Sequence, residues 1–170
     1  MGALPRLPAL KGIPEDARPK RRLTTDELAA IVARLRARGA TTEARLVLFL
    51  AWCPRRPVAI LSLTRADCAR VVASPDANED GDIRVTNDKG GLGRGYTPLL
   101  PEARAILREH LRATLGPPDA LVWTRADGQA WTNQAIRGLL LRACASAGVD
   151  FTQHAETAYA GITLSNFIIH

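Results

Sequence analysis

Cysteine, histidine and aromatic residues are scarce in this sequence, and their scarcity argues against several classes of site and fold. The three cysteines, Cys53, Cys68 and Cys144, form no Cys-x-x-Cys pair, and the histidines do not cluster. This pattern argues against a structural zinc site and against a disulfide framework. Aromatic side chains make up only 5% of the chain, beside 46% apolar and 24% charged residues. Such a composition is ordinary for a helical protein rich in leucine and alanine.

Long apolar runs are also missing. The longest one, Leu46 to Trp52, is far shorter than the roughly 20 residues that span a bilayer. The N-terminus lacks the apolar core of a signal peptide. We therefore expect a cytoplasmic protein without a membrane partner, and 170 residues are enough for one domain with its own core.

The charge balance is basic. Lys and Arg number 23 against 17 Asp and Glu, which gives a net charge of +6. A basic domain indicates a polyanionic partner, although the same charge would suit a membrane surface or merely keep a protein in solution. Residues 1–22 hold a basic run, Arg18 to Arg22, without apolar periodicity, so we predict a linker or arm there and a domain over 23–170.

Five segments have helical signals. Thr24 and Glu27 form a capping-box pattern whose helix ends before Gly39, and residues 42–52 suit a helix buried on most of its circumference. Pro57 can open a short third helix, while Pro101 and Thr132 begin two later ones. The predicted inward positions are Leu28, Ile31, Val32, Leu35, Ile60, Leu61, Leu63, Ala103, Ile106, Leu107, Leu111, Ile136, Leu139, Leu140, Ala143 and Cys144.

Short β-prone runs lie between the third helix and Pro101. Val71-Val72, Ile83–Val85 and Tyr96-Thr97 are separated by turn-rich stretches and predict an antiparallel sheet of about three strands. The predicted fold class is therefore mainly α with a small antiparallel β-sheet (α+β).

The segment LVLFLAWCPRRPVAILSLTRAD, residues 46–67, resembles the first active-site box of the tyrosine-type site-specific recombinases, the family of phage and transposon integrases. With Leu63 and Asp67 as anchors, the resemblance places the family's catalytic arginine on Arg56 and leaves Arg55 beside it as a DNA contact. The glutamate that the family usually has three residues later is Ala59 here.

A second segment, DIRVTNDKGGLGRGYTPLL, residues 82–100, is similar to the family's lysine-bearing β-hairpin. Lys89 takes the position of the catalytic lysine and Arg94 that of a trailing DNA-binding arginine. The glycines of the turn permit positive φ and close approach to a DNA backbone. The hairpin follows the first box by about thirty residues, as the resemblance requires.

A third segment, residues 121–154, looks like the run that precedes the family's His-x-x-Arg box, and His154 takes the histidine position. The resemblance stops there, because Thr157 stands at the arginine position and no tyrosine follows where the family has its nucleophile. Tyr96 and Tyr159 do not match that position. A frame shift in the gene, later restored, is one hypothesis for the departure of the tail after 154.

The resemblance implies a tyrosine recombinase catalytic-domain-like fold and site-specific DNA recombination or integration in a mobile element. In that family a tyrosine attacks a DNA phosphodiester without metal or other cofactor, while arginines bind the phosphate oxygens and lysine protonates the leaving oxygen. Since Arg56, Lys89 and His154 match but the second arginine and the nucleophile do not, we expect a partial domain that neither cleaves nor religates DNA.

The implied partner is double-stranded DNA, on which members of such a family can form homo-oligomers. Two other functions stay open at this point. The chain could be a non-catalytic DNA-binding module that competes for recombination sites, or a helical protein unrelated to DNA. Binding to duplex DNA that weakens steeply with salt would separate the last of these from the other two.

Overall fold

A computed structural model describes residues 23–53, 55–73, 81–86 and 95–149. The predicted arm over 1–22 and the tail beyond Val149 lie outside the described residues. In chain order the elements are α1 (Thr25–Ala37), α2 (Thr41–Trp52), α3 (Pro57–Leu61), a 3₁₀ turn (Ala66–Cys68), α4 (Ala69–Ala73), β1 (Asp82–Val85), β2 (Gly95–Pro98), α5 (Pro101–Ala113) and α6 (Asn133–Ser146).

The five predicted helices begin at the predicted residues or within one residue of them. The side chain of Thr24 accepts from the backbone N–H of Glu27, and the Glu27 carboxylate accepts from the N–H of Thr24 at 2.9 Å, which completes the capping box of α1. Thr132 caps α6 in the same way by accepting from the N–H of Ala135. Proline occupies the first turn of α3 and of α5, where no backbone N–H is needed.

A Schellman motif closes α6. The N–H of Val149 donates to the carbonyl of Cys144 at 3.0 Å, and the N–H of Gly148 donates to Ala145 at 3.2 Å. This turn requires a left-handed residue, and Gly148 provides it with a φ of +71°. The helix therefore ends at a fixed point and not by gradual fraying.

The core is built around α2, which packs between α1 and α5. Phe49 of α2 lies against Trp123 with ring centroids 5.4 Å apart, and both side chains are fully buried. The chain segment that carries Trp123 is itself fixed to the turn after α3, because the N–H of Val122 donates to the carbonyl of Leu63 at 2.9 Å. The predicted inward positions are buried except Ile106 and Leu139, which are partly buried.

The sheet is smaller than predicted. In the described residues it contains two antiparallel strands, with Asp82 opposite Pro98 and Val85 opposite Gly95. The prediction of a strand at Val71-Val72 is wrong, because both residues belong to α4. Asp67 starts a helical turn immediately before them, and this local geometry outweighs the weak β-preference of a two-residue valine run. The fold class, mainly α with a small antiparallel sheet, is confirmed.

All three cysteines are buried and free, as expected for Cys144. Burial raises the pKa of the Cys53 and Cys68 thiols to about 12, so both stay protonated at neutral pH. No helix within the described ranges combines the length and the apolarity needed to cross a membrane.

His110 is an unexpected member of the core. Its ring stacks on Trp123 with centroids 4.2 Å apart and is only 1% exposed. Nε2 lies 2.7 Å from the carbonyl of Val122, whereas Nδ1 has no hydrogen-bond partner among the described residues. Burial lowers the pKa of His110, and the nearby Arg45 and Arg65 lower it further, against the opposing effects of the Val122 carbonyl and Glu109.

We predict that acid weakens the fold through His110. The unfolded chain takes up a proton near pH 6.5, while the folded chain resists protonation until a lower pH, so the unfolding free energy falls as pH decreases below about 6.5. One proton accounts for at most about 1.4 kcal/mol per pH unit in this window. Urea unfolding followed by circular dichroism between pH 7.5 and 4.5 measures the decline.

The His110→Gln variant should lose this pH dependence, because glutamine does not titrate. A control with His154→Gln and His170→Gln should retain it. A decline of equal slope in the His110→Gln variant would show that another group is responsible.

Candidate nucleic-acid interface

Arg56 stands at the exposed N-cap of α3. Its carbonyl accepts from the N–H groups of Ala59 at 2.9 Å and Ile60 at 3.3 Å, so its backbone is held by the first turn of the helix. Arg55 is half-buried, and its N–H donates to the carbonyl of Cys53 at 2.7 Å. The pair therefore lies in a constrained turn between α2 and α3, with the Arg56 side chain at the surface.

The other positions of the first box belong to the core. Leu63 and Ala59 are each 1% exposed. A glutamate at position 59, which the resemblance would expect, would need charged partners for its carboxylate, whereas alanine fits this apolar site without any. The absence of that glutamate is thus compatible with the packing of α3.

Asp67 connects the segment after α3 to the β-hairpin through a hydrogen bond with Arg84 of β1. Its carboxylate is 5% exposed and accepts from the Thr64 N–H at 3.0 Å, from the Thr64 hydroxyl at 2.7 Å and from Arg84 Nε at 2.9 Å. Burial alone would raise the pKa of Asp67, but the hydrogen bonds from Thr64 and Arg84 outweigh it and lower the pKa. Arg84 belongs to β1, so the charged contact fixes that strand against the turn after α3.

The exposed face of the hairpin carries Arg84 and Tyr96, and Arg70 of α4 lies over it. Arg84 lies opposite Tyr96 in the strand register, and the guanidinium of Arg70 lies 3.6 Å from the Tyr96 ring centroid. The side chains of Arg70 and Arg84 are 56% and 51% exposed, although both also contact carboxylates, Asp82 at 3.5 Å and Asp67 at 2.9 Å. Exposed guanidinium groups held in place by a ring and by carboxylates can contact DNA phosphates.

Sequence reasoning missed Arg70 and Arg84 as members of this surface. A signal for Arg84 was present, because it alternates with the buried Ile83 and Val85 in a strand pattern and must point outward. Nothing in the sequence pattern indicated that Arg70 would cover Tyr96, since Arg70 was expected to precede a strand instead of lying in α4.

Three of the predicted site residues, Lys89, Arg94 and His154, lie outside the described residues, so their roles in catalysis and DNA binding stay predictions. The described strands nevertheless determine where the Lys89 segment begins and ends. Residues 86–94 connect Val85 to Gly95, which are directly opposite each other at one end of the hairpin.

The fold is shared with a tyrosine recombinase. The crystal structure of XerA recombinase superimposes on 86% of the present chain with a TM-score of 0.58, at 15% sequence identity. The matched region is 47% of the XerA recombinase chain, so this chain spans about half the length of that structure. At this identity the likeness shows the fold.

Comparison with protein-family models gave no match, and neither did comparison with curated proteins.

We predict that the Asp67 carboxylate contributes more to the unfolding free energy through its hydrogen bonds with Thr64 than through its ion pair with Arg84. Asp67→Ala leaves the Thr64 N–H and hydroxyl without their acceptor and should lower the unfolding free energy by about 2 kcal/mol. Arg84→Gln removes only a half-exposed guanidinium and should cost less than about 1 kcal/mol. Urea unfolding of both variants at pH 7 measures the difference.

Equal losses in the two variants would contradict this assignment, because they would place the whole effect in the ion pair. Arg38→Gln, which changes an exposed arginine at the end of α1, is the control and should leave stability unchanged.

Proposed function

We propose that this chain is a catalytic domain of the tyrosine recombinase type that binds double-stranded DNA and, as this 170-residue polypeptide, does not cut it. The observation that carries the proposal is the likeness of fold to XerA recombinase over 86% of the chain, together with Arg56 at the surface where the sequence resemblance expects a catalytic arginine. The net charge of +6 favours a polyanionic partner.

In this proposal the phosphate is held from two separate parts of the chain. Arg56 at the start of α3 would grip phosphate oxygens, and Lys89, which follows β1 in the sequence, would protonate a leaving oxygen. His154 would complete the phosphate site, while Arg55 and Arg94 would contact the DNA backbone. The Asp67–Arg84 contact supports the proposal, because it ties β1 to the turn after α3.

Strand cleavage requires more than these groups. Charge on the phosphate in the transition state must be neutralised by fixed cations, and the family's second arginine is replaced by Thr157. Threonine cannot supply that charge. Neither Tyr96, which lies under Arg70 on the hairpin, nor Tyr159 matches the nucleophile position.

A second candidate function is a non-catalytic DNA-binding module that occupies recombination sites without processing them. Threonine at position 157, where the resemblance expects the second catalytic arginine, favours this candidate because it removes a charge needed for cleavage. The two candidates share DNA binding and differ only in chemistry, so one pair of measurements examines both.

We predict salt-sensitive binding to duplex DNA. Fluorescence anisotropy with a labelled 30-base-pair duplex of mixed sequence should show affinity that falls steeply between about 50 and 200 mM salt, because phosphate contacts release counterions. Arg56→Ala should weaken binding and reduce the slope of log affinity against log salt by about one. Arg38→Ala, on the far end of α1, is the matched control and should change neither quantity.

Absence of any salt-sensitive binding would defeat the proposal and favour a helical protein unrelated to DNA. If Arg56→Ala and Arg38→Ala change DNA affinity equally, Arg56 is not part of the interface, although the protein still binds DNA.

We also predict that no covalent protein–DNA adduct forms. Nicked suicide duplexes of randomised sequence trap a phosphotyrosine linkage when one is made, and a denaturing gel then shows a shifted band. The expected result is no shifted band with this chain, under conditions in which an active recombinase on its own substrate gives one. A shifted band that disappears with Tyr159→Phe or Tyr96→Phe would overturn the inactivity proposed here.

A further inference from the structure

A groove of about 370 Å³ runs along α6 beside the turn that precedes it. The walls of this α6 groove include Arg125, Trp131, Gln134, Gly138 and Arg142. The turn is set by a bond from the N–H of Arg125 to the carbonyl of Gln129 at 2.8 Å. None of the residues that line the groove is acidic.

Arg142 is held over the groove by the small residue beneath it. A Cβ atom placed on Gly138 would lie 3.2 Å from a terminal guanidinium nitrogen of Arg142, so glycine gives this side chain the space to lie back along α6. Among the described residues Arg142 has no hydrogen bond or ion pair, and its side chain is exposed. Its five N–H donors are thus available to a ligand.

The opposite wall adds a second cation and an aromatic ring. Arg125 lines the groove and shares its charge with Asp127 at 3.0 Å, and both are about half exposed. Trp131 is half-buried, and its indole N–H is shielded from solvent without a hydrogen-bond partner among the described residues. Trp131 therefore contributes its ring to the wall of the groove, while the two arginines supply the charge.

We propose that the α6 groove is a phosphate-binding site in which Arg142 is the main ligand and Arg125 an auxiliary one. A phosphate group suits this site because its several oxygens can accept more than one hydrogen bond from a planar guanidinium group. The phosphate can belong to the DNA backbone, and that source rests on the proposed function, or to a free phosphate compound. The residues that line the groove belong to α6 and to the segment that precedes it, and none belongs to α3 or to the hairpin, so DNA bound there would make contacts beyond those proposed for Arg56 and Lys89.

Two variants test the site by different means. Arg142→Gln removes the main ligand and should weaken binding of inorganic pyrophosphate at least about tenfold. Arg125→Gln removes the auxiliary ligand and should weaken binding by a smaller factor. Neither substitution should lower the urea midpoint, because both arginines are exposed. Arg112→Gln, an exposed arginine of α5, is the control and should leave binding unchanged.

Binding is followed on the ¹⁵N-labelled full chain by NMR, with separate titrations of pyrophosphate and of a 30-base-pair duplex. Saturable shifts at Gly138 and the Trp131 indole with pyrophosphate, which need higher pyrophosphate concentrations in both variants, support the site. If the duplex moves the same signals, the phosphate belongs to DNA. If only pyrophosphate moves them, it is a free phosphate compound.

Pyrophosphate shifts in the absence of any duplex binding would support the groove and defeat the proposed DNA function. Duplex binding that leaves the groove signals unmoved, with no pyrophosphate shift, would overturn the groove and leave the DNA function standing. Equal pyrophosphate affinity of wild type and both variants would also overturn it.

Discussion

A buried carboxylate joins the two parts of the molecule that carry the proposed function. Asp67 ends the segment after α3 and binds β1 through Arg84, while Thr64 satisfies its remaining oxygen. The two Thr64 donors offset most of the cost of burying this charge, and Arg84 adds a third hydrogen bond from β1. Formation of the local turn therefore favours docking of the strand against it. A surface ion pair without burial would leave the hairpin much freer to move.

Much of the helical part could be predicted because its signals are local. Thr24, Thr132, Gly39 and Gly148 mark helix ends through their own backbone chemistry, and the spacing of apolar residues determines which face is buried. The inward face of α1 was predicted completely, since Leu28, Ile31, Val32 and Leu35 are all buried. Such features depend on residues only a few positions apart.

Features set by distant contacts were missed. Val71 is helical because the turn at Asp67 starts a helix, and that turn depends in part on Arg84, seventeen residues away. His110 and Arg104 are polar residues on α5, yet both are buried. The carbonyl of Leu99 accepts from the Arg104 guanidinium, and the carbonyl of Val122 lies within hydrogen-bond distance of His110 Nε2. For the candidate site, the sequence predicts a role for Arg56 that stays a prediction, and it could not reveal Arg70 over Tyr96 or the groove beside Arg142. These arise where separate segments meet.

The left-handed glycine at the end of α6 has a consequence for protein engineering. Because the Schellman motif fixes Gly148 and buries most of Val149, the chain leaves the core there at a defined position and in a defined direction. Any segment joined after Val149 would start from the same place relative to α6. The described body is therefore a fixed base to which a segment of another sequence can be joined at Val149 without altering α6.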